Sequence, residues 1–346
     1  MDRFYFDANA TAPPLPSVVS VMERAQRELW ANPTSTHREG QAARQAIEEA
    51  RRTIALSLEV PPSQLVFCAS ATEALHVLIK GLDQALTFMP AAVNPGEHSA
   101  CLNPLRGWAN VRWLPCDVTG AATIVQMAAN NESGIISEMP QVAEAVRIKD
   151  CCQAWGKVAV ELSDCDAAVF SAHKMGGPRG AALLWMRPGL PWTPTMEGPQ
   201  ERRRRGGTED TAAILGLSEA VAHLPDRLAQ NALLEPLRDA MEAEVISWSP
   251  DFEIIGKEQP RLPNTSSLLL RGHNGEAVHM AMDLAGFAIS TGSACHSGAT
   301  KPSHAIMALG YREADARSVI RISMLPGTSE DSVQRLVAAL KKIIRR

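Results

Sequence analysis

The sequence of 346 residues lacks several features that would assign it to a specialised class of protein. It has no apolar run of membrane-spanning length, and its start shows no apolar core of a secretion signal. The formal net charge of −4 gives no reason to expect binding to nucleic acid or to an anionic membrane. We therefore expect a cytoplasmic protein that binds neither membranes nor nucleic acid.

The cysteines lack the spacing of a metal site or of a disulfide framework. There are seven of them, an odd number, and no two form a C-x-x-C motif. This pattern predicts no metal site and suits a reducing compartment. The remaining composition, with 45% apolar and 21% charged residues, is ordinary for a globular protein. The length allows one large domain and a smaller one.

The stretch 167–180, AAVFSAHKMGGPRG, carries the clearest chemical signal. Ala167–Phe170 has the small and apolar residues of a buried strand, and Lys174 follows it just before several glycines. Burial lowers the pKa of a lysine, and the neutral amine is the form that bonds to an aldehyde cofactor. Taken alone, the motif also fits a loop lysine that reaches into solvent.

Residues 65–82 read as a strand, a turn of small residues and a helix. Such a turn leaves backbone N–H groups and the positive end of the helix free to bind a phosphate, with the hydroxyls of Ser70 and Thr72 nearby. An ordinary capped helix after a strand fits the same pattern, so both interpretations stay open at this point.

Further strand-like segments occur at Ala91–Val93, Val111–Leu114 and Thr123–Ala128, separated by turn or helical material. Polar residues collect where these strands end, which is typical of a doubly wound, mostly parallel sheet with its ligand over the carboxyl ends. The residues Ile148–Lys149, just before Asp150, are only a weak signal for a strand.

The second half of the chain contains four consecutive arginines, Arg202–Arg205. No aromatic residue is interleaved with them, so an anion site or a subunit contact is favoured over nucleic-acid binding. A long helical region is predicted from Thr211 to about Ile246, and the composition changes near Trp248. We expect a large domain at 15–247 and a small domain formed by 1–14 and 248–346.

Two of the cysteines differ in their sequence surroundings. Cys295 lies between Gly292 and Gly298 in a run of small residues, which predicts an accessible thiol. Cys68 lies inside an apolar run and is expected to pack in the core.

Taken together, these stretches resemble the NifS/IscS-like cysteine desulfurases, pyridoxal-phosphate enzymes of the class V aminotransferase family. The likeness runs nearly the whole length of the chain. Its motifs, in chain order, are FDANATAP, NPTSTHREG, FCASATEA, GEHSACL, NNESG, DCCQAWGK, FSAHKMGGPRG, QERRRRGGTE, STGSACHSG and SVIRIS. The short GSACHSG form is similar to the branch that serves iron–sulfur assembly.

The resemblance implies the α/β fold of type I pyridoxal-phosphate transferases. A mostly parallel seven-stranded sheet between helices would form the large domain, and a smaller C-terminal α+β domain would carry the cysteine loop. The implied reaction converts L-cysteine to L-alanine and leaves the sulfur as a persulfide on the enzyme. The implied partners are a sulfur-acceptor or scaffold protein of iron–sulfur assembly and a second copy of the chain in a homodimer.

The resemblance also implies residue roles in binding pyridoxal phosphate. Lys174 would hold the cofactor covalently and later transfer a proton. Asp150 would pair with the pyridine nitrogen, Gln153 would bond the phenolic oxygen, and His98 would stack on the ring and act in catalysis. The residues implied to hold the phosphate are Ala71, Thr72, Ser171, His173 and, from the neighbouring subunit, Thr208.

For the substrate, the resemblance implies that Asn131, Arg321 and Asn32 bind L-cysteine, with the guanidinium of Arg321 on the α-carboxylate. Cys295 would be the nucleophile that attacks the sulfur of the substrate. A glycine-flanked segment would allow this thiol to approach the cofactor and then deliver the sulfur outward.

The chain departs from the family pattern in three places. The segments 118–122 and 134–150 are both shorter than those that family members usually have. Glu197-Gly198-Pro199 stands where the family usually has a glycine-rich run before QER, which could shift the contact at Thr208. Two alternative functions therefore stay open. One is another class V reaction, such as selenocysteine lysis or transamination, and the other is a pyridoxal-phosphate-binding protein with reduced turnover.

Overall fold

The computed structural model describes residues 3–86, 89–108, 110–114, 118–142, 144–291 and 301–345. Its strands are β1 (Phe4–Tyr5), β2 (Leu65–Cys68), β3 (Ala91–Val93), β4 (Val111–Trp113), β5 (Thr123–Met127), β6 (Val146–Asp150), β7 (Ala167–Ser171), β8 (Ala182–Met186), β9 (Phe252–Ile254), β10 (Thr265–Leu270), β11 (Phe287–Ala288), β12 (Ser290–Thr291) and β13 (Val319–Ser323). Its helices are α1 (Pro16–Glu28), α2 (Arg38–Ser57), α3 (Ala71–Ala85), α4 (Ser99–Leu105), α5 (Thr211–Ala222), α6 (Leu224–Ala232), α7 (Leu234–Ile246), α8 (Gly275–Leu284), α9 (His304–Ala308), α10 (Glu313–Ala316) and α11 (Glu330–Ile344). No helix within these ranges is both long and apolar enough to cross a lipid bilayer.

The larger sheet has seven strands in the order β2-β8-β7-β6-β5-β3-β4. Strand β8 runs antiparallel to its neighbours β2 and β7, whereas the other neighbouring pairs are parallel. This arrangement confirms the predicted mostly parallel sheet of the α/β fold.

Helices cover both faces of this sheet. In β7, Ala168 and Phe170 pack with residues of α1, α2 and α5, whereas Ala167 and Val169 pack with residues of α3 and α4. Alternation of side chains between the two faces explains why a strand buried on both sides has a continuous apolar sequence. Cys68 packs in the second of these clusters, which confirms the core position predicted for it.

A second sheet of four antiparallel strands has the order β12-β13-β10-β9. Apolar residues of α7, α8 and α11, such as Met241, Met282 and Leu336, pack against it in one cluster. The short strand β1 pairs with β11, and Asp7 bridges to Ser323 of β13. The start of the chain therefore joins the C-terminal sheet. The proposed domain limits at 15–247 and 248–346 stay a prediction.

The helical region predicted from Thr211 to about Ile246 is confirmed, and it consists of three helices, α5, α6 and α7. The chain is interrupted at His223, between α5 and α6, and at Leu233, between α6 and α7. Pro225 lies in the first turn of α6, where its missing N–H group costs nothing, but it could not continue the hydrogen bonds of α5.

Strand β6 is longer and more regular than the weak sequence signal at Ile148–Lys149 indicated. The strand contains two cations that would be unfavourable in a buried strand without partners. Arg147 is paired with Asp166 at 3.1 Å, and Lys149 is hydrogen-bonded to Asp164. These aspartates precede β7 in the chain, so their contribution to β6 depends on the tertiary fold.

Candidate active site

The residues expected to carry the chemistry lie at one edge of the seven-stranded sheet. Strand β6 ends at Asp150 and β7 ends three residues before Lys174, while His98 and Asn131 follow β3 and β5. Strands β6 and β7 are neighbours in the sheet, and the charge of Asp150 opposes the lowering of the pKa of both His98 and Lys174. The carboxyl ends of parallel strands are the usual ligand site of such sheets.

Lys174 is half-buried, and its amine is held by backbone carbonyls. Nζ donates to the carbonyl oxygens of Asn9 at 2.7 Å and Ala10 at 2.9 Å. Burial lowers the pKa of Lys174, and the positive charge of Arg321 also lowers it, although nearby acidic groups oppose the shift. A lower pKa increases the share of neutral amine, which is the nucleophile that an aldehyde requires.

Asn9 is a buried residue for which the sequence predicted no role. Its side chain and backbone link the two sheets to the candidate site. Its hydrogen-bond partners besides Lys174 are Asn131, Gln153, Lys157, Asn264, Thr265 and Ser323. Asn9 belongs to the FDANATAP motif, so only the family resemblance could have indicated its importance. An extended turn has no helical or strand periodicity from which its buried residues could be predicted.

Lys157 is a second buried lysine that the sequence analysis did not single out. Its Nζ donates to Gln153 Oε1 and to Asn9 Oδ1, both at 2.6 Å. Burial lowers the pKa of Lys157 well below its ordinary value, and the charges of Lys174 and Arg321 add to this effect. Gln153 Nε2 in turn donates to the Asn9 carbonyl oxygen at 2.9 Å. Gln153 is thus held in place by Asn9 and Lys157, and its bond to a cofactor stays a prediction.

Glu97 is fully buried beneath His98. One oxygen, Oε1, accepts a hydrogen bond from the backbone N–H of Met127, while Oε2 has no partner among the described residues. Burial raises the pKa of Glu97 well above its ordinary value, and the charge of Asp150 raises it further. The shift favours the uncharged form of the Glu97 carboxyl, a residue for which the sequence predicted no role.

His98 follows β3 and Asp150 ends β6, and their roles toward a cofactor stay predictions. His98 caps α4, since its Nδ1 accepts from the backbone N–H of Ala100 at 3.1 Å, which leaves the proton of the neutral ring on Nε2. Desolvation lowers the pKa of His98, and Asp150 opposes this shift. Asp150 is buried and one of its oxygens accepts from the backbone N–H of Cys152 at 2.9 Å.

The proposed phosphate end lies at the N-terminus of α3. Ser70 is the N-cap of this helix, and its hydroxyl accepts from the backbone N–H of Glu73 at 3.1 Å. Ala71 and Thr72 form the first turn, and Thr72 is exposed. The capped helix is present, and binding of a phosphate at its first turn stays a prediction.

Ser171 and His173 flank the turn that carries Lys174. Ser171 is buried at the end of β7, and His173 Nδ1 lies 3.0 Å from the hydroxyl of Thr11. Burial lowers the pKa of His173 to about 4, and Lys174 contributes to this shift. His173 is therefore neutral at pH 7 and can donate a hydrogen bond, but it adds no charge.

Arg321 lies in the middle of β13, and its guanidinium points to the same edge. Its NH1 donates to the carbonyl oxygen of Asn131 at 2.9 Å, and its NH2 pairs with Asp7 at 2.6 Å. The buried Nε has no partner in the described part of the chain. Arg321 and Asn131, both predicted to bind substrate, are therefore in direct contact.

Two predicted residues lie on exposed loops. Asn32 Oδ1 accepts from the backbone N–H and the hydroxyl of Thr34, which forms a local turn. Thr208 is exposed and follows Gly207, whose carbonyl accepts from Arg205. Their roles in binding substrate and a neighbouring subunit's phosphate stay predictions.

Three of the four consecutive arginines hold their own segment against the sheet and the adjacent helices. Arg204 donates to the carbonyl oxygen of Leu65 at 2.8 Å, and Arg205 pairs with Glu73 in the first turn of α3. Arg202 pairs with Glu48 at 3.4 Å. Arg202, Arg204 and Arg205 therefore have ion-pair or hydrogen-bond partners within the chain itself.

Cys295, the predicted nucleophile, lies outside the described residues. The described chain stops at Thr291 of β12, where the neighbouring Ser290 pairs with Arg321. It resumes at Lys301 and enters α9 at His304. Both flanks of the predicted cysteine segment are thus attached close to the candidate active site.

Comparison with known proteins agrees with this geometry. A curated "Cysteine desulfurase" from Cereibacter sphaeroides is 32% identical over 380 residues, covering 99% of this chain and 96% of the relative. An "IscS-like cysteine desulfurase" from Mycobacterium tuberculosis is 33% identical, with the same coverage of both chains. A solved structure of a NifS-like protein has a TM-score of 0.89 and 28% identity, covering 99% of each chain.

The alignments with both relatives run over 380 residues, whereas the chain has 346, so these relatives contain residues that this chain lacks. The family model described as aminotransferase class-V matches residues 4–336, nearly the whole chain. The fold, with its polar residues at one edge of the sheet, is consistent with this match. The chain belongs to the class V aminotransferase family.

Proposed function

We propose that this protein is a pyridoxal-phosphate-dependent L-cysteine desulfurase. The observation that carries the proposal is that Lys174, whose pKa burial lowers, follows strand β7, while the buried Asp150 ends the adjacent strand β6. An amine for the aldehyde and a carboxylate for the pyridine nitrogen are the two groups that this cofactor needs from a protein. The relatives named as cysteine desulfurases support the choice of reaction.

The remaining groups at this edge fit pyridoxal phosphate. Helix α3 runs for 15 residues, and the N–H groups of Ala71 and Thr72 in its first turn suit a phosphate. Ser171 and His173, on the other side of Lys174, would add hydroxyl and imidazole donors to this phosphate. His98 would lie on the face of the ring, and Gln153 would approach its phenolic oxygen.

When bound, the cofactor withdraws electrons from the α-carbon of an amino acid. Lys174 Nζ would then hold and move the proton of that carbon, as a general base and acid. Asp150 would keep the pyridine nitrogen protonated by its charge. His98, whose pKa desolvation lowers, would present the N–H of its neutral ring at Nε2 as a donor.

The substrate L-cysteine would be oriented by Arg321 and Asn131. The buried Nε of Arg321 has no hydrogen-bond partner among the described residues, and a substrate carboxylate would satisfy it. Asn131 lies beside it, because its carbonyl accepts from Arg321. Asn32 would contribute from its exposed loop.

Cys295 would accept the sulfur. Its thiolate attacks the sulfur of bound L-cysteine, the bond between Cβ and sulfur breaks, and a persulfide remains on Cys295 Sγ. The electron pair of the broken bond stays on the carbon skeleton, which takes up a proton at Cβ and leaves as L-alanine. The persulfide would pass to a sulfur-acceptor or scaffold protein of iron–sulfur or other cofactor assembly, in the cytoplasm. Thr208 of a second subunit would complete the phosphate site in a homodimer.

The test is to compare the wild type with Cys295→Ser for release of sulfide and alanine from L-cysteine in the presence of dithiothreitol. We expect equal amounts of both products from the wild type and no sulfide from the variant, which should keep the absorbance of the bound cofactor. Full sulfide release by Cys295→Ser would contradict the proposed nucleophile. Cofactor absorbance without either product would favour the alternative of a binding protein with reduced turnover.

A further inference from the structure

The first turn of α3 carries an acidic side chain beside the proposed phosphate end. Glu73 follows Thr72 directly in the chain, and its Oε2 accepts from the backbone N–H of Ala69 at 2.9 Å. The N–H of Glu73 itself donates to Ser70 Oγ at 3.1 Å. These two capping bonds use the N–H groups of Ala69 and Glu73, and they leave those of Ala71 and Thr72 out of the cap.

A carboxylate and a phosphate at the same helix end repel each other. The positive end of the helix attracts both, and the phosphate carries a charge of about −1.5 to −2 at neutral pH. The carboxylate of Glu73 stabilises the helix, but its negative charge works against a phosphate at the adjacent Thr72. Binding of phosphate at this turn therefore requires that a positive group neutralise Glu73.

Arg205 is this positive group. Its Nε pairs with Glu73 Oε1, and the two side chains are only 12% and 18% exposed, so water and salt screen the pair weakly. The same guanidinium donates through NH1 to the carbonyl oxygen of Gly207 at 3.2 Å. Arg205 thus joins the first turn of α3 to the loop that leads to Thr208.

The turn just before Arg205 has an unfavourable backbone conformation that buried contacts enforce. Residues 201–203 have φ angles of 47°, 57° and 63°, in the left-handed region that residues with side chains avoid. The buried carboxylate of Glu201 accepts from both terminal nitrogens of Arg51, at 2.8 and 2.9 Å, and from the N–H of Phe67 at 2.9 Å. Backbone strain of this kind persists where surrounding contacts over-determine it, and it is common at functional sites. The position of Arg205 is therefore fixed by the fold.

We propose that Arg205 is a positioning residue for the phosphate of the cofactor, because its guanidinium cancels the charge of Glu73 and holds it in the cap of α3. The inference rests on the proposed function, which puts pyridoxal phosphate at this turn, and it adds Arg205 and Glu73 to that function. Loss of Arg205 weakens the binding of pyridoxal phosphate, and it leaves the binding of pyridoxal, the same aldehyde without the phosphate, unchanged.

The principal test is Arg205→Ala, with Arg271→Ala as its control. Absorbance titration of the cofactor-free protein gives the Kd for pyridoxal phosphate and for pyridoxal. We expect Arg205→Ala to raise the Kd for pyridoxal phosphate about 10-fold, the upper range for a charge at a helix end, and to leave that for pyridoxal at the wild-type value. Arg271 pairs with Glu253 and Asp315 in the C-terminal region, so Arg271→Ala should change neither Kd.

Two variants of Glu73 separate the effect of charge from a general loss of structure. Glu73→Gln keeps an oxygen that can accept from Ala69 and removes the negative charge, so it should bind pyridoxal phosphate at least as tightly as the wild type. Glu73→Gln combined with Arg205→Ala should recover most of the affinity that Arg205→Ala loses, to within about 3-fold of the wild type. A purely structural role of the pair predicts that the double variant binds no better than Arg205→Ala.

Four results would overturn the inference. They are an unchanged Kd for pyridoxal phosphate in Arg205→Ala, an equal loss for pyridoxal, weaker binding of pyridoxal phosphate by Glu73→Gln, and no recovery in the double variant. If the wild type bound pyridoxal phosphate no more tightly than pyridoxal, the phosphate end of the proposed function would fail and this inference with it. A wild-type preference for the phosphate that Arg205→Ala retains in full would overturn the inference alone.

Discussion

Two groups of residues flank Lys174, and they differ in how completely their polar atoms are paired. The Asn9 cluster (Asn9, Gln153, Lys157, Asn264 and Thr265) is buried and densely hydrogen-bonded. The ligand side (Glu97, His98, Asp150 and Arg321) contains two buried atoms without a partner in the described chain, Glu97 Oε2 and Arg321 Nε.

The difference lies in pairing, although unpaired buried atoms also occur elsewhere in the described chain, for example at Trp248 Nε1. Buried polar atoms in folded proteins are nearly always paired, so a bound ligand could supply the missing partners of Glu97 Oε2 and Arg321 Nε. The Asn9 cluster joins the N-terminal segment, the seven-stranded sheet and the four-stranded sheet. We infer that it fixes the geometry of Lys174, while the ligand side adapts to cofactor and substrate.

The largest expected effect is that of Lys174→Ala, which removes the group between the two sides. We expect no covalent cofactor and a loss of sulfide release of at least about 10²–10⁴-fold, the usual contribution of a general acid or base. Borohydride reduction followed by peptide mapping should find a pyridoxyl adduct on Lys174 in the wild type. An adduct on another lysine, such as Lys157, would contradict the assignment of Lys174 as the lysine that binds the cofactor.

The next largest effect is expected for Asn9→Ala, which removes the side chain at the centre of the Asn9 cluster. It leaves several buried donors and acceptors without a partner, each costing about 1–3 kcal/mol, so the free energy of unfolding should fall by roughly 3 kcal/mol or more. Urea unfolding of the cofactor-free protein measures this change. Asn274→Ala is the control, because Asn274 only caps the exposed start of α8 and its loss should cost about 1 kcal/mol. Equal losses of unfolding free energy in both variants would show that Asn9 contributes no more to stability than an ordinary helix cap.

A smaller effect is expected for Glu97→Gln on the ligand side, and it should raise the stability of the protein where Asn9→Ala lowers it. The folded pKa of Glu97 is raised above its ordinary value of 4.5 by burial. Its contribution to stability is therefore complete below about pH 4.5 and is lost as the pH rises through the folded pKa. The glutamine variant has no such loss, so its melting temperature without cofactor should increasingly exceed that of the wild type above pH 4.5. A constant difference across the pH range would show that Glu97 ionises normally.

The smallest effect concerns His173, whose folded pKa burial lowers to about 4 from the ordinary 6.5. The unfolded chain binds the proton more tightly, so the stability that neutral His173 contributes is complete above pH 6.5 and is lost as the pH falls towards about 4. His173→Asn should flatten the dependence of the melting temperature on pH in this window. The measurement is a series of thermal melts of the cofactor-free protein. A wild-type profile as flat as that of the variant would contradict the shift.

The parallel sheet and the place of Lys174 could be predicted from the sequence because their signals are local. A run of apolar residues followed by a lysine and glycines is read within a short window, and so is the turn before α3. Strand β6 was harder to predict, because Arg147 and Lys149 are stabilised by aspartates from another part of the chain. The break between α5 and α6 coincides with Pro225, a local signal in the first turn of α6.

The sequence by itself determined the family, the layered α/β architecture and the residue types at the carboxyl ends of the strands, since each follows from short motifs in a constant order. Only the tertiary structure decided how these residues are held. Asn9 meets Lys157 across 148 positions and Thr265 across 256, and Glu132 meets Ser303 across 171. Contacts between such distant positions depend on how the two sheets pack, and a single sequence contains no local pattern that encodes them.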